Sequence, residues 1–531
     1  MLAASIAIFI ITFVMPQIFG WARSLLNRLF RYRLEERVHF LFFEKRGSLD
    51  IAQWEDPKKN DLFSLVSENE YRILNSTERM FDLLDNSGMV IIAAAILAFY
   101  KWWTLPILII ATAPELWIAV KYGRRVWGIM NGRAETRRYY QTFANHFYEV
   151  SRITELKLFQ NVAHFIGIIR ELHEKFRIEE EGNERRRFRL GLGGLLTAVV
   201  GISVIVLAFI GDIVGGRLQV GTFIFIIGAT MNFRSSISGL FQILGFQYGD
   251  NHFISAIFEF LDLPSVLPKT KRPEILIPAA TPDIVFENVS FCYPGANSLS
   301  LENVSLTIPA GKKMALVGRN GAGKTTLVKL LCRFYDPTEG RILIGGQDLK
   351  EIEIDSWYSK LGILFQDFAH YRISIEKSIA LGRSNISLSD ERVHEAARMS
   401  DSDSFIRSLD DGYKQMLGRQ FSGGIEPSIG QWQRLALARV FYRKSQVIIL
   451  DEPTASIDAE GEAEIFERFQ ELSTEQSAIL ISHRFSTVRK ASEIIVLDRG
   501  RIAESGSHDD LVANKSGIYS KLFRLQAKGY E

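Results

Sequence analysis

The chain has 531 residues, of which 47% are hydrophobic, and a formal net charge of +2. Its length exceeds that of one ordinary domain, so two or more domains are expected. The near balance of charge excludes a strongly basic nucleic-acid-coating protein, and no nucleic-acid partner is expected.

Hydrophobic residues are concentrated in the first half of the chain, where the first run covers residues 2–21. It is long enough to cross a hydrocarbon core of about 30 Å. A cleaved signal peptide is the alternative, although no Lys or Arg precedes the run. The arginines that follow it predict a cytoplasmic end: Arg23, Arg28, Arg31, Arg33 and Arg37.

Four further apolar runs predict spans near residues 81–100, 105–120, 191–210 and 220–240. Trp102 and Trp103 suit the outer membrane interface between the first two of them. Five spans are thus predicted, with the amino terminus outside and the carboxyl terminus inside. Membrane lipid is an expected partner of this part of the chain.

Two polar segments between the spans, residues 23–87 and 121–190, keep a helical spacing of apolar residues. This spacing predicts that the membrane helices continue into the cytoplasm and reverse there. The turn residues predict reversals at 56–61 and 156–161. Ordinary cytoplasmic loops are the alternative.

Glu115 lies well inside a predicted span. An intramembrane carboxylate is a candidate for a substrate or proton pathway. A wetted inner cavity or a pairing with a neighbouring basic residue is the alternative, which we favour.

The second half of the chain has the composition of a soluble α/β protein. We assign residues 1–263 to a transmembrane domain, 264–281 to a proline-containing linker and 282–531 to the soluble domain. Cys292 and Cys332, the two cysteines, have no metal-binding partner pattern and fit a reducing cytosol.

A glycine-rich stretch, Gly318 to Thr326, follows an apolar strand pattern and precedes a helical one. G-x-x-x-x-G-K-[ST] in this context predicts a P-loop, whose backbone N–H groups cradle phosphates. Lys324 would reach the β- and γ-phosphates, and Thr325 would bind Mg²⁺. A chance glycine-rich turn is the alternative. The candidate nucleotide-binding residues of the stretch are Gly318, Asn320, Gly321, Gly323, Lys324, Thr325 and Thr326.

Asp451 and Glu452 follow a buried strand pattern at 447–450. Asp451 can hold Mg²⁺ through a water, and Glu452 can polarise the water that attacks the γ-phosphate. An acidic turn after a core strand is the alternative, which the accompanying P-loop disfavours.

The P-loop, Gln366, the run from Ser428 to Arg439, Asp451-Glu452 and His483 occur in the order seen in the ATP-binding-cassette (ABC) family. With its membrane half, the chain resembles the exporter type of ABC transporter. The resemblance implies an all-α transmembrane helical domain with long cytoplasmic helix extensions, followed by an α/β P-loop NTPase domain. It also implies an integral plasma (inner) membrane protein whose nucleotide-binding domain lies in the cytoplasm.

The resemblance implies ATP and Mg²⁺ as cofactors and assigns roles to further residues. Tyr293 would stack on adenine, although packing against its own sheet is the alternative. Gln366 would touch Mg²⁺ and the attacking water. His483 would hold the γ-phosphate and that water, with a histidine at the edge of the core as the alternative. The loop 456–458 would cross to a partner domain.

Two stretches compete for the family's Leu-Ser-Gly-Gly-Gln signature. The stretch 421–424 matches at first but continues as Ile-Glu, whereas Ser428, Gly430 and Gln431 are followed directly by a helix pattern. We therefore place the signature at 427–431. Ile429 replaces a glycine there, which predicts a weakened but working site.

Exporters of this type usually have six spans per chain, and the first span here runs in the direction of their second. The resemblance implies that a further helix lies upstream of Met1, with a five-span form as the alternative. The leading hypothesis is an ATP-hydrolysing dimeric half-transporter, homodimeric or heterodimeric, that exports an amphipathic or hydrophobic lipid, drug or peptide. The alternatives are a soluble-type ABC ATPase acting on nucleic acid or ribosomes, which the spans disfavour, a membrane-bound nucleotide sensor, and the degenerate half of a heterodimer.

Overall fold

The computed structural model describes residues 2–131, 134–267, 281–383, 387–453, 476–482 and 484–527. Two compact units make up the chain. The helical unit comprises Met1–Leu49 and Trp54–Pro264, and the α/β unit comprises Asp50–Gln53 and Ser265–Glu531.

Nine helices lie in the described residues before the first strand. They are α1 (Leu2–Ser48), α2 (Ile51–Trp54), α3 (Pro57–Asn69), α4 (Tyr71–Lys101), α5 (Thr104–Asn131), α6 (Ala134–Asn145), α7 (Val150–Leu158), α8 (Val162–Val214) and α9 (Val220–Leu261).

Every span expected from the sequence lies inside one of the longer helices: α1, α4, α5, α8 or α9. Three of these, α4, α8 and α9, are long and apolar enough to cross a membrane, and the apolar part of α5 is the shorter Thr104–Ile118. With 53 residues, α8 would measure about 80 Å at 1.5 Å per residue. A hydrocarbon core is only about 30 Å thick, so the expected long helical extensions are confirmed.

Apolar side chains of α4, α5, α8 and α9 form one core of the helical unit, in which Leu97, Leu108, Ile205 and Ile226 are buried. The backbones of α8 and α5 lie close together where these two helices pack. A Cβ atom at Gly201 would lie 2.7 Å from that of Ala111, so a side chain there would force the helices apart.

A helix boundary lies within each of the two expected reversal segments: α3 begins at Pro57, so most of 56–61 is helical, and α7 ends at Leu158 within 156–161. Asp56 caps α3 by accepting a 2.9 Å hydrogen bond from the Lys58 backbone N–H, and Pro57 occupies the first turn. Between α7 and α8, Gln160 has a φ of +56°, which interrupts the helical path.

Asp50–Gln53 belongs to the α/β unit although it lies between α1 and α3 in the chain. The Asp50 Oδ2 atom accepts hydrogen bonds from the backbone N–H groups of Val266 (2.6 Å) and Leu267 (3.2 Å). Ala52 packs against the core of this unit. The sequence-based boundary had placed this segment with the helices, because a local pattern does not show a tertiary contact.

Ten strands lie in the described part of the α/β unit. They are β1 (Ile284–Phe291), β2 (Leu301–Ile308), β3 (Lys313–Gly318), β4 (Glu339–Ile344), β5 (Gln347–Asp348), β6 (Leu361–Leu364), β7 (Val447–Asp451), β8 (Ser477–Ile481), β9 (Glu493–Asp498) and β10 (Arg501–Gly506).

The helices described in the same unit continue the numbering. They are α10 (Lys324–Leu331), α11 (Ile354–Lys360), α12 (Ile375–Ala380), α13 (Asp390–Met399), α14 (Asp403–Arg407), α15 (Ile429–Arg443), α16 (Phe485–Val488), α17 (His508–Ala513) and α18 (Ile518–Ala527).

The strands form two sheets. Strands β2-β1-β4-β5 make an antiparallel sheet, and β10-β9-β3-β8-β7-β6 make a sheet that is parallel except for β10. The continuous apolar runs of β7 and β8 are typical of parallel strands buried on both faces. Ile481 of β8 pairs with Leu316 of β3 and with Asp451 of β7. This register brings the carboxyl ends of β3 and β7 to one edge of the sheet, where parallel sheets bind ligands.

Candidate functional site

The P-loop joins β3 to α10, as the sequence predicted. Gly323 precedes the helix with a φ of +105°. A Cβ atom there would lie 2.7 Å from Leu301 Cδ2 and 2.9 Å from the Ser300 carbonyl oxygen. Both the backbone conformation and the available space therefore require glycine at this position.

Lys324 lies at the start of α10 and is buried. Its Nζ atom donates hydrogen bonds to the carbonyl oxygens of Gly318 (2.7 Å) and Arg319 (3.1 Å). Burial lowers the pKa of Lys324, whereas the negative charges of Glu452 and Asp451 raise it. The loop thus holds a cation where phosphate oxygens would enter.

Asp451 ends β7 with only 4% of its surface exposed. Burial and, to a smaller extent, the neighbouring Glu452 raise the pKa of Asp451 to about 6, against the opposing effect of Lys324. A buried carboxylate of this kind is stabilised by a nearby positive charge.

Glu452 follows with a φ of +51°, which is uncommon for a residue other than glycine. Its backbone N–H donates to the Ile481 carbonyl (2.9 Å), and its own carbonyl accepts from Gln433 Nε2 (3.0 Å). Two neighbouring elements therefore fix this conformation, which is a frequent arrangement at functional sites.

One cavity of about 660 Å³ brings most of the predicted residues of the site together. Gly318 does not line it, but its carbonyl oxygen accepts the hydrogen bond from Lys324 Nζ. The predicted residues that line the cavity are Asn320, Gly321, Gly323, Lys324, Thr325, Thr326, Gln366, Asp451 and Glu452. The glycine-rich loop backbone, a cation and two carboxylates thus share one cavity.

No sequence motif predicted the other residues that line this cavity. Residues 298–300, Arg499 and Gly500 also line it. The Gly500 N–H donates to the Ala322 carbonyl (3.0 Å), and its carbonyl accepts from the Glu302 N–H (2.8 Å). These residues reach the P-loop through the tertiary fold, and no motif marks them.

Tyr293 does not line this cavity but contacts the same helix. Its hydroxyl lies 3.2 Å from Thr326 Oγ1. Edge-to-face contacts join its ring to Phe291 and Tyr335, and Lys329 Nζ lies 5.5 Å from the ring centroid. The expected adenine-stacking role stays a prediction.

The signature residues begin α15, away from the cavity. The Ser428 Oγ atom accepts from the Gln431 N–H (3.2 Å), and Gln431 Oε1 accepts from the Ser428 N–H (2.9 Å). This reciprocal capping box fixes the first turn of the helix. Ile429 is 67% exposed, and Gly430 follows it in that turn.

The competing stretch at 421–424 forms a tight turn instead. Gly423 has a φ of +70°, and a Cβ atom at Gly424 would lie 2.1 Å from the Gly418 carbonyl oxygen. The Gly418 N–H donates to the Ile425 carbonyl (2.6 Å) and closes the turn. The glycines that resemble a signature therefore serve this backbone turn. His483 and the loop 456–458 lie outside the described residues.

Known proteins resemble the chain along most of its length. The ABC transporter family model matches residues 301–455. The ATP-dependent lipid A-core flippases of Shigella sonnei (strain Ss046) and Escherichia coli (strain K12) are each 30% identical to it over 489 residues, which cover 90% of this chain and 81% of theirs. The solved structure of a bacterial Atm1-family ABC exporter with ATP bound is similar to it with a TM-score of 0.81 and 24% identity, covering 95% of this chain and 86% of the other.

Fold and site together define an ATP-hydrolysing integral membrane protein in which a helical membrane domain is fused to an ATP-binding cassette. The chain belongs to the ABC transporter family. The expected fold class, ATPase activity, membrane location and exporter type are thereby confirmed.

Proposed function

We propose that the chain is a half-transporter that works as a dimer and moves an amphipathic or hydrophobic compound outward across the membrane. One observation carries this proposal. The P-loop, Gln366, Asp451 and Glu452 share a cavity, whereas Ser428 lies on the exposed surface outside its lining. A complete site then needs the signature of a second copy.

The geometry at the start of α15 suits that role. Ser428 and the Gly430 backbone lie in the first turn, where the positive end of a helix attracts anions. Because the capping box already orders this turn, it can receive a γ-phosphate presented by the other subunit with little reorganisation.

Within one copy, Lys324 and the P-loop backbone would bind the phosphates, and Glu452 would take the proton of the attacking water. The oxygen atoms of Thr325, Gln366 and Asp451 fit Mg²⁺, which prefers oxygen ligands. Bound Mg²⁺ would neutralise charge on the β- and γ-phosphates. His483 is assigned to the γ-phosphate by its place in the family's motif order.

ATP would draw the α/β units of two copies together, and hydrolysis would let them part. Asp50–Gln53 belongs to the α/β unit and continues along the chain into α1 and α3. We propose that this segment transmits the movement to the membrane helices.

The cargo is proposed to be a lipid, an amphipathic drug or a peptide. Relatives named as lipid A-core flippases favour a lipid. The long apolar helices α8 and α9 are compatible with such a molecule.

A second candidate rests on Ile429. A branched side chain that is 67% exposed at the first helical position hinders close approach of a phosphate to the backbone. This favours the degenerate half of a heterodimeric exporter, whose partner would contribute a complete signature. A nucleotide sensor that regulates a partner without transport is the remaining alternative.

Lipid movement in proteoliposomes tests the proposal. The purified chain is reconstituted with a phospholipid carrying a fluorescent acyl chain, and dithionite quenching reports its transfer between leaflets. We expect ATP-dependent transfer by the wild type and by Lys521→Ala, an exposed lysine of α18, but none by Lys324→Ala. ATP turnover without transfer of fluorescent lipid, peptide or drug probes would contradict export and favour the sensor.

A further inference from the structure

An ion pair joins two helices of the helical unit. Arg234 Nη2 of α9 lies 3.3 Å from Glu115 Oε1 of α5, and the two side chains are 27% and 18% exposed. Glu115 is eleven residues beyond the start of α5, or about 17 Å along the helix. Glu115 packs against Gly194 of α8, near the cytoplasmic end of the predicted span 191–210, so the pair lies toward the inner end of that span. Of the two alternatives favoured from the sequence, a wetted cavity or a basic partner, the structure shows the basic partner, which is Arg234.

Arg234 retains hydrogen-bonding capacity. Its Nε atom is buried and has no hydrogen-bond partner among the described residues. A buried guanidinium N–H without an acceptor is costly, and it would be satisfied by an anionic group entering from outside the protein.

A cavity of about 460 Å³ lies beside Glu115. This volume falls within the range of small-molecule sites. Glu184 and Arg187 of α8, which are 3.6 Å apart, also line it. The apolar side chains that line it include Leu192, Leu195 and Phe241.

Close packing holds the acidic side of the cavity in place. A Cβ atom at Gly194 would lie 3.5 Å from Glu115 Cγ, so α8 passes directly over this carboxylate. The Thr197 hydroxyl, one turn further along α8, donates to the Ala111 carbonyl of α5 (2.9 Å). The two helices therefore fix the position of Glu115.

Arg234 is not part of the lining, but it pairs with Glu115 and lies one helical turn before Ser238 of α9, and both of these residues line the cavity. The charges of the lining and of Arg234 sum to zero, since Glu115 pairs with Arg234 and Glu184 with Arg187. In a medium of low dielectric constant, a ligand with a net charge would leave one charge uncompensated. A ligand that carries both charges can pair with an acid and a base at once. The apolar wall adds room for a hydrocarbon chain.

We propose that this cavity is the substrate headgroup site and that it selects amphiphiles with a zwitterionic headgroup. The cationic group of the ligand pairs with Glu115, and its anionic group accepts from Arg234 Nε. The chain of the ligand lies along Leu192, Leu195 and Phe241. This inference rests on the proposed export of amphipathic compounds and names the class of cargo.

Binding of three probes with the same twelve-carbon chain tests the inference. They are zwitterionic dodecylphosphocholine, anionic dodecyl phosphate and cationic dodecyltrimethylammonium. Binding to the full-length chain in maltoside micelles is measured by equilibrium dialysis without ATP, so hydrolysis does not contribute. We expect the wild type to bind the zwitterion about tenfold more tightly than either charged probe, a difference of about 1.4 kcal/mol.

Substitutions should change the preference in opposite directions. We expect Glu115→Gln to favour the anionic probe and Arg234→Gln to favour the cationic one. The exchange Glu115→Arg with Arg234→Glu should restore the preference for the zwitterion, which a folding defect would not do. As a control, Lys101→Gln and Asp212→Asn alter a second ion pair of the helical unit (2.7 Å) and should leave the preference unchanged.

The inference would be overturned if the wild type bound the three probes equally. It would also be overturned if Glu115→Gln and Arg234→Gln each weakened the binding of all three probes to the same extent. Neither result concerns ATP-driven transfer of other compounds, which the proteoliposome experiment measures. Conversely, selective binding without any transfer would support the cavity as a site and contradict export.

Discussion

Asp451 and Glu452 are adjacent carboxylates in different surroundings. Asp451 is inside the sheet, and burial raises its pKa to about 6. Glu452 leaves the strand with a left-handed backbone and lines the cavity. The first is suited to hold a cation and the second to accept a proton from water.

The variant Glu452→Gln tests the role of Glu452 as the group that accepts a proton. Glutamine keeps the shape of the side chain but cannot accept the proton, so we expect steady ATP turnover to fall at least about a hundredfold. Nucleotide binding should be retained, as measured with a fluorescent ATP analogue. The control Glu339→Gln changes an exposed residue of β4 and should leave turnover intact. Wild-type turnover in Glu452→Gln would remove this residue from its assigned role.

We expect the side chain of Ile429 to limit the rate of ATP turnover. Removing its exposed side chain opens the helix start to phosphate, and we expect Ile429→Gly to raise turnover severalfold at saturating ATP. Glycine also costs about 1 kcal/mol of helix propensity. Ile429→Ala, which avoids that cost, should give an intermediate or equal gain. Slower turnover in both variants would show that isoleucine is required.

The residues of the site differ in how far sequence alone reveals them. Lys324 and Thr325 belong to a motif of fixed local spacing, so the strand–loop–helix context was enough to place them. Arg499 and Gly500 come from the turn between β9 and β10, and only the pairing of β3 with β9 brings them to the cavity. Local spacing contains no information about that pairing.

At the scale of the element, α15 connects the proposed signature with the end of β7. Its first turn is closed by the Ser428–Gln431 capping box. Further along, Gln433 donates to the carbonyl of Glu452. Trp432 is buried, donates to Glu426 Oε1 (3.2 Å) and stacks on His370 with ring centroids 4.6 Å apart. Helix α15 therefore positions both the Ser428 side chain and the backbone of Glu452.

Ser428→Ala should lower the thermal unfolding midpoint of the full-length chain, because loss of a helix cap costs about 1 kcal/mol. Turnover should fall as well, since the hydroxyl also meets phosphate in the proposed dimer. The matched control Ser422→Ala lies in the turn that resembles a signature and should preserve turnover. Loss of turnover in Ser422→Ala, with none in Ser428→Ala, would reverse the assignment of the signature.

Glycine content alone does not show which of the two stretches, 421–424 or 427–431, is the signature. The turn at 421–424 has glycines because of its backbone geometry, with Gly423 at a positive φ. The start of α15, where we propose the signature, lacks one of the expected glycines. This proposal depends on the helical pattern after Gln431, which the structure shows as α15.

At the scale of the whole molecule, the hydropathy of the sequence predicted spans that lie within long helices, but it did not predict how far those helices extend. The apolar run at 191–210 lies within α8, whose preceding residues are mostly polar and carry apolar side chains only at a helical spacing. Asp50–Gln53 was not recognised as part of the α/β unit. Its hydrogen bonds to Val266 and Leu267 span more than two hundred residues of sequence.

ATP turnover by mixed dimers tests the central proposal most directly. Lys324→Ala disables the P-loop of one copy, and Ser428→Arg blocks the signature of another. Each variant alone should be inactive. If sites form between copies, a mixed dimer holds one intact site. Co-expression should then restore about a quarter of wild-type turnover, because half of randomly paired dimers are mixed. Failure of the mixture to exceed either variant alone, with mixed dimers verified by two affinity tags, would contradict the account.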